Sequence, residues 1–372
     1  MLTVLSVIGT RPEAIKMAPV IKELERHRDH VRSFVCSTGQ HQEMLNQVLD
    51  LFQITPDYDL HLMQVNQGLA QLTARLFTSL DDVLEDVKPN YVLAQGDTTT
   101  VLVASLVAFY RGIKFGHVEA GLRTGDKHKP FPEEINRRLA DVVADLFFAP
   151  TERARQTLLC EGVSAQDIYL TGNTVIDALL DIASRNYEWS NSPLACLPRD
   201  RRLVLITAHR RESFGEQFKE LCLAIRDLAE AFQKDGVHFV YPVHLNPNVR
   251  KPVGEILSNI PNVSLIEPLD YLALVQLMKH ATLILTDSGG IQEEAPSLRV
   301  PVLVMRDTTE RPEGIEAGVS RLVGTQRARI VQEAQHLLCD PAAHAAMATN
   351  TNPYGDGKAA MRIVAALFER VL

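Results

Sequence analysis

The chain of 372 residues carries 38 basic and 46 acidic side chains, which gives a formal net charge of −8. Since a domain typically takes about 150 residues, this length predicts two domains, each with its own hydrophobic core. A composition that is 46% hydrophobic and 23% charged is typical of globular proteins and excludes extensive disorder, collagen and coiled-coil rods. The negative balance argues against a broad electrostatic surface for nucleic acid, so no nucleic-acid partner is expected.

Cysteine usage and hydropathy bear on the cellular compartment. The five cysteines are scattered, form no CxxC pair and are typical of a reducing compartment. Residues 1–8 resemble a strand rather than a secretory signal, and the longest apolar run, residues 101–110, is too short to cross a bilayer. We therefore expect a cytoplasmic protein without a membrane partner.

Strand-like apolar runs alternate with helical patterns in the first half of the chain. The helical pattern is clearest in residues 69–87, where leucine and valine recur every three or four residues. The apolar runs predict strands at residues 3–8, 31–37, 91–94, 114–118 and 146–149. This alternation is typical of βαβ units, which build a parallel sheet covered by helices on both faces.

A second series of the same kind follows an irregular segment. Residues 186–202 lack periodicity and contain Trp189, Pro193 and Pro198, so we expect a surface connection between the two halves. The strands predicted beyond it are residues 203–207, 238–242, 263–266, 283–286 and 302–305. A break at residues 352–357 precedes a last helix. The sequence thus predicts an α/β protein with two Rossmann-like, doubly wound domains and a ligand cleft between them.

Charged side chains follow three predicted strands of the first domain. Arg11 and Lys16 come after the first strand, in a glycine-led turn and the following helix, where they either bind an anion or are simply solvated. Asp97 and Glu119 follow the third and fourth strands. Asp97 is either a functional carboxylate or the N-cap of the next helix, and Glu119 is either functional or the ion-pair partner of Arg123. Their matching positions favour a function for both.

Two further candidates lie at the start of a helix and at the end of a strand. Glu133 and Glu134 occupy the first helical turn after a proline-rich loop, where they either complement the helix dipole or present a third carboxylate to the cleft. His209 directly follows a strand of the second domain and precedes Arg210. A histidine there titrates near neutral pH and the arginine favours an anionic partner, with a purely structural histidine as the alternative.

The sharpest indication of a phosphate site is Ser288, Gly289 and Gly290, at the end of a predicted strand. A glycine pair lets the backbone approach a ligand at the positive end of the next helix, and a tight turn is the alternative. Glu294 and Arg311 follow as candidates for ribose and phosphate contacts, which predicts a nucleotide ligand. The motifs GxGxxG, GxxxxGK(S/T) and HExxH are absent, so we expect no redox dinucleotide, no ATPase site, no resident metal and no cofactor.

Nine motifs spread over nearly the whole chain occur together. They are Gly9-Thr10-Arg11-Pro12-Glu13, Gly96-Asp97-Thr98-Thr99, His117-Val118-Glu119-Ala120-Gly121-Leu122-Arg123-Thr124, Pro132-Glu133-Glu134, Thr171-Gly172-Asn173-Thr174, His209-Arg210-Arg211-Glu212, Pro242-Val243-His244-Leu245-Asn246-Pro247, Thr286-Asp287-Ser288-Gly289-Gly290 and Glu310-Arg311-Pro312-Glu313. In identity and order they resemble the bacterial non-hydrolysing UDP-N-acetylglucosamine 2-epimerases.

This resemblance implies two Rossmann-like domains of the glycosyltransferase-B type. The first domain, residues 1–172, would carry the catalytic carboxylates and be joined by the final helix, residues 358–372. The second domain, residues 173–357, would bind UDP. The resemblance also implies a homodimer that acts on UDP-N-acetylglucosamine and UDP-N-acetylmannosamine.

The reaction implied by the resemblance is reversible epimerisation at C2, which supplies surface polysaccharide synthesis. UDP is eliminated across C1–C2 to give 2-acetamidoglucal and is then added back, with the proton delivered to the other face of C2. Both directions need general acids and bases near C2 and cations at the departing diphosphate. A glycosyltransferase or a hydrolysing epimerase on the same scaffold, and a non-catalytic nucleotide-sugar sensor, are the alternatives.

Site roles follow from the matching motif positions. The resemblance implies catalytic roles for Asp97, Glu119, Glu133 and His209, substrate contacts for Arg11, Lys16, Ser288, Gly289, Gly290, Glu294 and Arg311, and regulatory roles for Gln40 and His244. Which carboxylate is the C2 base stays open, because coupled groups share their titration. In the uridine-side segment, Leu269 and Leu274 stand where relatives often have glutamine and phenylalanine. Separately, Glu43 and Asn66 replace an expected glutamine and arginine, and this second departure argues against activation by substrate.

Overall fold

Two parallel sheets organise the chain, whose computed structural model describes residues 1–39, 42–63, 67–349 and 351–370. One unit comprises Met1–Ala178 and Gly355–Leu372, and the other comprises Leu179–Tyr354. The expected α/β class with two doubly wound parallel sheets is therefore confirmed. Within the described ranges, no helix is both long enough and apolar enough to span a bilayer.

The first unit is built around a seven-stranded sheet. Its strands are β1 (Leu2–Ile8), β2 (Val31–Ser37), β3 (Tyr58–Asp59), β4 (Tyr91–Gln95), β5 (Lys114–Val118), β6 (Leu146–Ala149) and β7 (Ile168–Leu170). The helices of this part of the chain are α1 (Arg11–Arg26), α2 (Gln42–Leu51), α3 (Leu69–Val87), α4 (Thr99–Tyr110), α5 (Glu133–Val143), α6 (Glu152–Cys160) and α7 (Thr174–Ser184). The strand order is β3-β2-β1-β4-β5-β6-β7, and every described strand pair is parallel.

The second unit repeats this plan with six strands in the order β10-β9-β8-β11-β12-β13. The strands are β8 (Arg202–Thr207), β9 (Val237–Pro242), β10 (Val263–Ile266), β11 (Ala281–Thr286), β12 (Val302–Val304) and β13 (Ser320–Leu322). The helices are α8 (Glu216–Ala231), α9 (Pro247–Leu257), α10 (Tyr271–His280), α11 (Gly289–Glu294), α12 (Pro312–Glu316), α13 (Arg327–Cys339) and α14 (Pro341–Thr349).

The last helix, α15 (Ala359–Glu369), belongs to the first unit and packs against α1. Its first backbone N–H groups are capped by Asp177, whose carboxylate accepts from Ala359 at 3.2 Å and from Ala360 at 2.9 Å. Arg362 donates to the carbonyl of Thr171 at 2.9 Å. These contacts satisfy the orphan donors that begin a helix and hold α15 in this unit.

Burial explains why these runs form central strands and amphipathic helices. All residues of β4 and all but one of β1 are buried, which is typical of a parallel strand covered on both faces. In α3, Leu72, Leu76, Leu80 and Leu84 are buried at four-residue spacing and belong to the core of the first unit.

The strands predicted from apolar runs are all present, and their ends differ from the prediction by at most two residues. The sequence missed β3, β7 and β13, which are only two or three residues long. So short a run contains too few residues to establish an alternation.

The irregular segment 186–202 is largely exposed, as predicted, but it lies within the second unit and does not connect the two units. Trp189, Leu194 and Leu197 are buried, and the Trp189 ring packs edge-on against His280 at 4.9 Å between centroids. The segment therefore packs within the second unit, because apolar side chains at irregular spacing still fill a core. The boundary between the units falls within α7, between Ala178 and Leu179.

Both sheets reverse their winding at one pair of central strands. In the first unit the chain proceeds from β1 to β2 on one side and from β4 to β5 on the other, and β1 and β4 are neighbours. In the second unit β8 and β11 are the corresponding neighbours. The loops after two such strands leave toward opposite faces, so the sheet edge between them is open to a ligand.

Glu13 is a fully buried carboxyl group at the start of α1. Its Oε2 accepts the backbone N–H of Gly9 at 2.6 Å and that of Thr10 at 3.3 Å, and so caps the helix. Burial raises the pKa of Glu13 to about 7, although these hydrogen bonds oppose the shift. The folded state therefore binds a proton that the unfolded chain releases above its ordinary pKa of 4.5.

We expect Glu13→Gln to flatten the loss of stability between pH 5 and pH 8. A carboxyl whose folded pKa is raised stabilises the protein at low pH, and this contribution disappears as the pH rises through about 7. The wild type should lose up to about 3 kcal/mol relative to the variant over this range. Urea unfolding at both pH values measures the difference.

Glu25→Gln is the matched control, because Glu25 lies on the same helix and is 48% exposed. It should follow the wild-type pH dependence. Equal slopes for Glu13→Gln and the wild type would contradict a proton held by Glu13.

Candidate active site

The reversal of the first sheet brings the candidate carboxylates to one edge. β4 pairs with β5 such that Gln95 lies opposite Val118, and β1 pairs with β4 on its other side. Asp97 follows β4 by two residues and Glu119 follows β5 by one. Both therefore stand at the carboxyl end of adjacent strands, as the sequence predicts.

Asp97 is held by two residues of α5. Its carboxylate forms an ion pair with Arg137, and its backbone carbonyl accepts from the Asn136 amide at 3.0 Å. The N-cap of α4 is Thr98, whose hydroxyl accepts the N–H of Val101 at 3.4 Å. The alternative that Asp97 caps this helix is thus wrong. The Asp97 side chain remains 30% exposed, so a ligand can reach it.

Glu119 occupies a strained turn and a cation pairs with it. Its φ of +69° lies in the left-handed region, which costs a non-glycine residue on the order of 1 kcal/mol and is common at functional sites. Its carboxylate pairs with Lys16 of α1 and accepts from the Asn173 amide at 3.1 Å. Arg123 instead pairs with Asp141 and Glu161, so the ion pair proposed between Glu119 and Arg123 is not formed.

The two glutamates that open α5 have different environments. Glu134 is buried and its carboxylate accepts the backbone N–H groups of Thr124 at 3.0 Å and Gly125 at 3.2 Å, which fixes the preceding loop. Glu133 is only partly buried and lies four residues before Arg137, on the same face of the helix. Glu133 is therefore the residue of this pair that can meet a ligand near Asp97.

Arg11 is the first residue of α1 and is exposed, so it stands at the end of β1 beside the reversal of the first sheet. Gln40 and Asn66 lie outside the described residues. The candidates of the first unit thus gather at the carboxyl ends of β1, β4 and β5.

The second sheet brings His209 and Asp287 together in the same way. They follow β8 and β11, and the Asp287 carboxylate accepts the backbone N–H groups of His209 at 2.7 Å and Arg210 at 2.8 Å. The His209 ring stacks on His244, with centroids 5.2 Å apart and 7° between planes. Burial, with the charges of His244 and Arg210, lowers the pKa of His209, and Asp287 opposes this shift. His209 is therefore a neutral imidazole at neutral pH, able to exchange a proton.

The glycine pair begins α11 beside the same reversal. Ser288 is the N-cap, and a Cβ added to Gly289 would lie 3.7 Å from Nη2 of Arg210. A Cβ added to Gly290 would lie 4.0 Å from Oε2 of Glu294. A cation, a carboxylate and two glycine amides thus lie around one helix start.

Glu294 and Arg311 are fixed by partners that the sequence did not indicate. The Tyr271 hydroxyl donates to Oε1 of Glu294 at 2.6 Å, and Arg311 forms an ion pair with Glu293 on α11. Burial raises the pKa of Tyr271 well above its ordinary value, so the hydroxyl stays a donor. Both candidates therefore belong to the surroundings of α11.

Four residues of this geometry were not predicted as site residues, although Asn173 and Asp287 lie within the motifs that carry the resemblance. Arg137 has a local indication, since it lies one helical turn after Glu133. Asp287 follows a strand directly, as His209 does, and the same rule would have found it. Asn173 and Tyr271 come from distant parts of the chain, and no local pattern links them to Glu119 and Glu294.

Comparisons with known proteins confirm the resemblance to the UDP-N-acetylglucosamine 2-epimerases. A family model described as UDP-N-acetylglucosamine 2-epimerase matches residues 22–368. A UDP-N-acetylglucosamine 2-epimerase of Escherichia coli strain K12 is 55% identical over 370 residues, which cover 98% of each chain.

Solved structures give the same result. A putative UDP-N-acetylglucosamine 2-epimerase from Listeria monocytogenes superposes with a TM-score of 0.93 at 46% identity, covering 100% of this chain and 96% of that one. The UDP-GlcNAc 2-epimerase of Neisseria meningitidis, solved bound to UDP-GlcNAc, gives a TM-score of 0.89 at 49% identity, covering 99% of this chain and 100% of that one. The chain therefore belongs to the UDP-N-acetylglucosamine 2-epimerase family of enzymes.

Proposed function

We propose that this protein interconverts UDP-N-acetylglucosamine and UDP-N-acetylmannosamine without hydrolysing them. The observation that carries the proposal is the placement of Asp97 and Glu119 at adjacent strand ends, each held by a cation from a neighbouring helix. Family membership supports the substrate class, since the Neisseria meningitidis relative was solved with UDP-GlcNAc. The first unit would carry the carboxylates, and the second would bind UDP.

The chemistry proceeds by elimination of UDP and its re-addition. The hydrogen on C2 has no adjacent carbonyl to stabilise a carbanion, so loss of the diphosphate from C1 must accompany loss of the C2 proton. A carboxylate takes this proton while the C1–O bond to UDP breaks, which leaves 2-acetamidoglucal and free UDP. UDP then bonds to C1 again while a proton is delivered to the opposite face of C2, which gives the epimer. Asp97, Glu119 and Glu133 are the proposed proton carriers of the first unit, and His209 is that of the second.

UDP is held by groups around α11. The N–H groups of Gly289 and Gly290 would donate to the diphosphate, because the start of a helix offers unpaired N–H groups and a positive dipole. Ser288 would contact it through its hydroxyl, since its own N–H already donates to Oγ1 of Thr286 at 2.9 Å. Glu294, whose carboxylate is oriented by Tyr271, would accept the ribose hydroxyls, and Arg311 would add positive charge.

Arg11 and Lys16 of the first unit complete the proposed substrate contacts on the sugar and diphosphate side. Lys16 already pairs with Glu119, so this one cation would both fix a carboxylate and meet the developing negative charge. Among the proposed regulatory residues, His244 stacks directly on His209, so a ligand that binds His244 would touch a proposed catalytic ring.

In the cell, the product would supply surface polysaccharide synthesis. The five cysteines are all unpaired, which supports action in the reducing cytoplasm. We also propose a homodimer. Neighbouring helices α4 and α5 expose apolar side chains, with Tyr110 at 71% and Val142 at 79% exposure.

In D2O, both epimers should acquire deuterium at C2. Incubation of either UDP-sugar with the enzyme, followed by NMR at C2, measures this exchange. Complete retention of protium after epimer formation would exclude the elimination route. A transferase or a sensor would form no epimer without an acceptor, and a hydrolysing enzyme would release free sugar.

Asp97→Asn and Glu119→Gln should each lower kcat by at least about 100-fold, because an amide cannot carry the C2 proton. Asp81→Asn and Glu85→Gln are matched controls, since both carboxylates pair with Arg111 away from the sheet edge. They should retain wild-type kcat. Near-native turnover of Asp97→Asn and Glu119→Gln, with lowered melting temperature, would mean that these carboxylates are structural.

Sedimentation should give twice the chain mass of 41.4 kDa. Val142→Glu should dissociate the dimer, because it places a charge within the exposed apolar surface of α4 and α5. Met361→Glu, on α15 and 51% exposed, introduces the same charge elsewhere and should leave the dimer intact. A wild type that sediments as one chain would refute the homodimer.

A further inference from the structure

His117 is a fully buried histidine of β5 whose two ring nitrogens both meet acceptors. Nδ1 lies 2.5 Å from a carboxylate oxygen of Asp141, and Nε2 lies 2.7 Å from the carbonyl oxygen of Gly96. A carboxylate and a carbonyl only accept hydrogen bonds. Both nitrogens must therefore donate, so the ring is an imidazolium paired with Asp141.

The charges around this ring support its protonation. Burial opposes a charge on the imidazole, but the Asp141 carboxylate outweighs it and raises the pKa of His117. Burial likewise opposes ionisation of Asp141, yet His117 and Arg123 lower its pKa. Arg123 donates to the second carboxylate oxygen of Asp141 at 2.7 Å. The pair is thus a compensated charge cluster within the first unit.

This pair fixes the backbone beside both candidate carboxylates. Gly96, whose carbonyl accepts from His117, has a φ of +88° and directly precedes Asp97. The backbone N–H of Gly121, two residues after Glu119, donates to Asp141 at 3.3 Å. One buried pair is therefore hydrogen-bonded to the turn that carries Asp97 and to the turn that carries Glu119.

Helix α5 joins this pair to the rest of the proposed site. Glu133, Arg137 and Asp141 lie at four-residue spacing, so they share one face of the helix. Arg137 pairs with the Asp97 side chain while Asp141 holds the peptide before it through His117. Loss of the Asp141 charge would remove the reason for the imidazolium and weaken the hydrogen bonds that hold the Gly96 peptide.

We infer that His117 and Asp141 are positioning residues for the C2 proton transfer, which hold the turns of Asp97 and Glu119 in register without touching the substrate. This inference rests on the proposed function, since it assumes that these carboxylates move the proton. A shift of about 1 Å in such a group is enough to slow proton transfer severely. Hydrogen-bond partners that orient the ligands of metal sites typically contribute about 10- to 100-fold to activity, and we expect a similar magnitude here.

Asp141→Asn is the direct test, because the amide keeps the shape of the carboxylate but removes its charge. The imidazole then loses the proton on Nδ1, which can accept from the new amide, while Nε2–H still donates to Gly96. The substitution therefore removes the charges of the pair and weakens its charge-assisted hydrogen bonds. We expect kcat to fall about 10- to 100-fold. KM and the affinity for UDP, measured by calorimetry, should change by less than about twofold, since ground-state binding is unaltered.

Asp145→Asn is the matched control at the other end of the same strand. The Asp145 carboxylate accepts the backbone N–H of Phe115 at 2.8 Å, so the substitution also removes a charge that anchors β5. It should retain wild-type kcat. An equal loss of kcat in both variants, or wild-type kcat in Asp141→Asn, would overturn the inference.

A second pair of variants, at His117, tests the inference even if Asp141→Asn does not fold. His117→Gln keeps an N–H that can donate to Gly96, whereas His117→Met has a similar size and no donor. We expect His117→Gln to retain at least about tenfold more kcat than His117→Met, with both variants shown to be folded by urea unfolding. Equal kcat values would contradict positioning through Gly96.

NMR of enzyme labelled with ¹⁵N-histidine separates this inference from the proposed function. The His117 signals, assigned from His117→Gln, should show two protonated nitrogens at pH 7.5 in the wild type and a neutral ring in Asp141→Asn. The amide signals of Gly96 and Asp97 should shift with them. If the wild type forms no epimer, the proposed function fails. The NMR signals would then still test whether a charged His117 holds the Gly96–Asp97 turn. A neutral His117 in the wild type, or unshifted Gly96 and Asp97 signals, would overturn it.

Discussion

The reversal of winding between two central strands is the constraint on which the proposed site depends. It falls between β1 and β4 in the first sheet and between β8 and β11 in the second. The loops that follow such strands diverge, so their first residues face a ligand instead of another loop. Asp97, Glu119 and His209 all follow strands at or next to these reversals.

Charge at these sheet edges is stabilised by partners from other elements. Glu119 pairs with Lys16 of α1, and Asp97 pairs with Arg137 of α5. Removing water from a lone carboxylate costs several kcal/mol, on the order of the whole stability of a domain, so a buried charge needs such a partner. The same ion pairs also limit where each carboxylate can lie. Each ion pair therefore both neutralises a carboxylate and fixes its position.

Helix α5 shows how a local pattern acquires a function through packing. Its four-residue spacing places Glu133, Arg137 and Asp141 on one face, and that face meets the turns after β4 and β5. Arg137 holds the Asp97 carboxylate and Asp141 holds the His117 ring, while Glu133 is the proposed ligand contact. A single helix therefore aligns groups from two strands of the sheet.

The sequence by itself determined the α/β class, the central strands and the positions after them, because a doubly covered parallel strand is a continuous apolar run that its own residues reveal. It left open whether Asp97 is a functional carboxylate or the N-cap of α4, since aspartate is a common cap. Only the tertiary structure decided that Thr98 is the cap and that Glu119 pairs with Lys16, 103 residues away, instead of with the nearby Arg123. The physical reason is that strand order brings distant turns together, and a local pattern contains no information about that order.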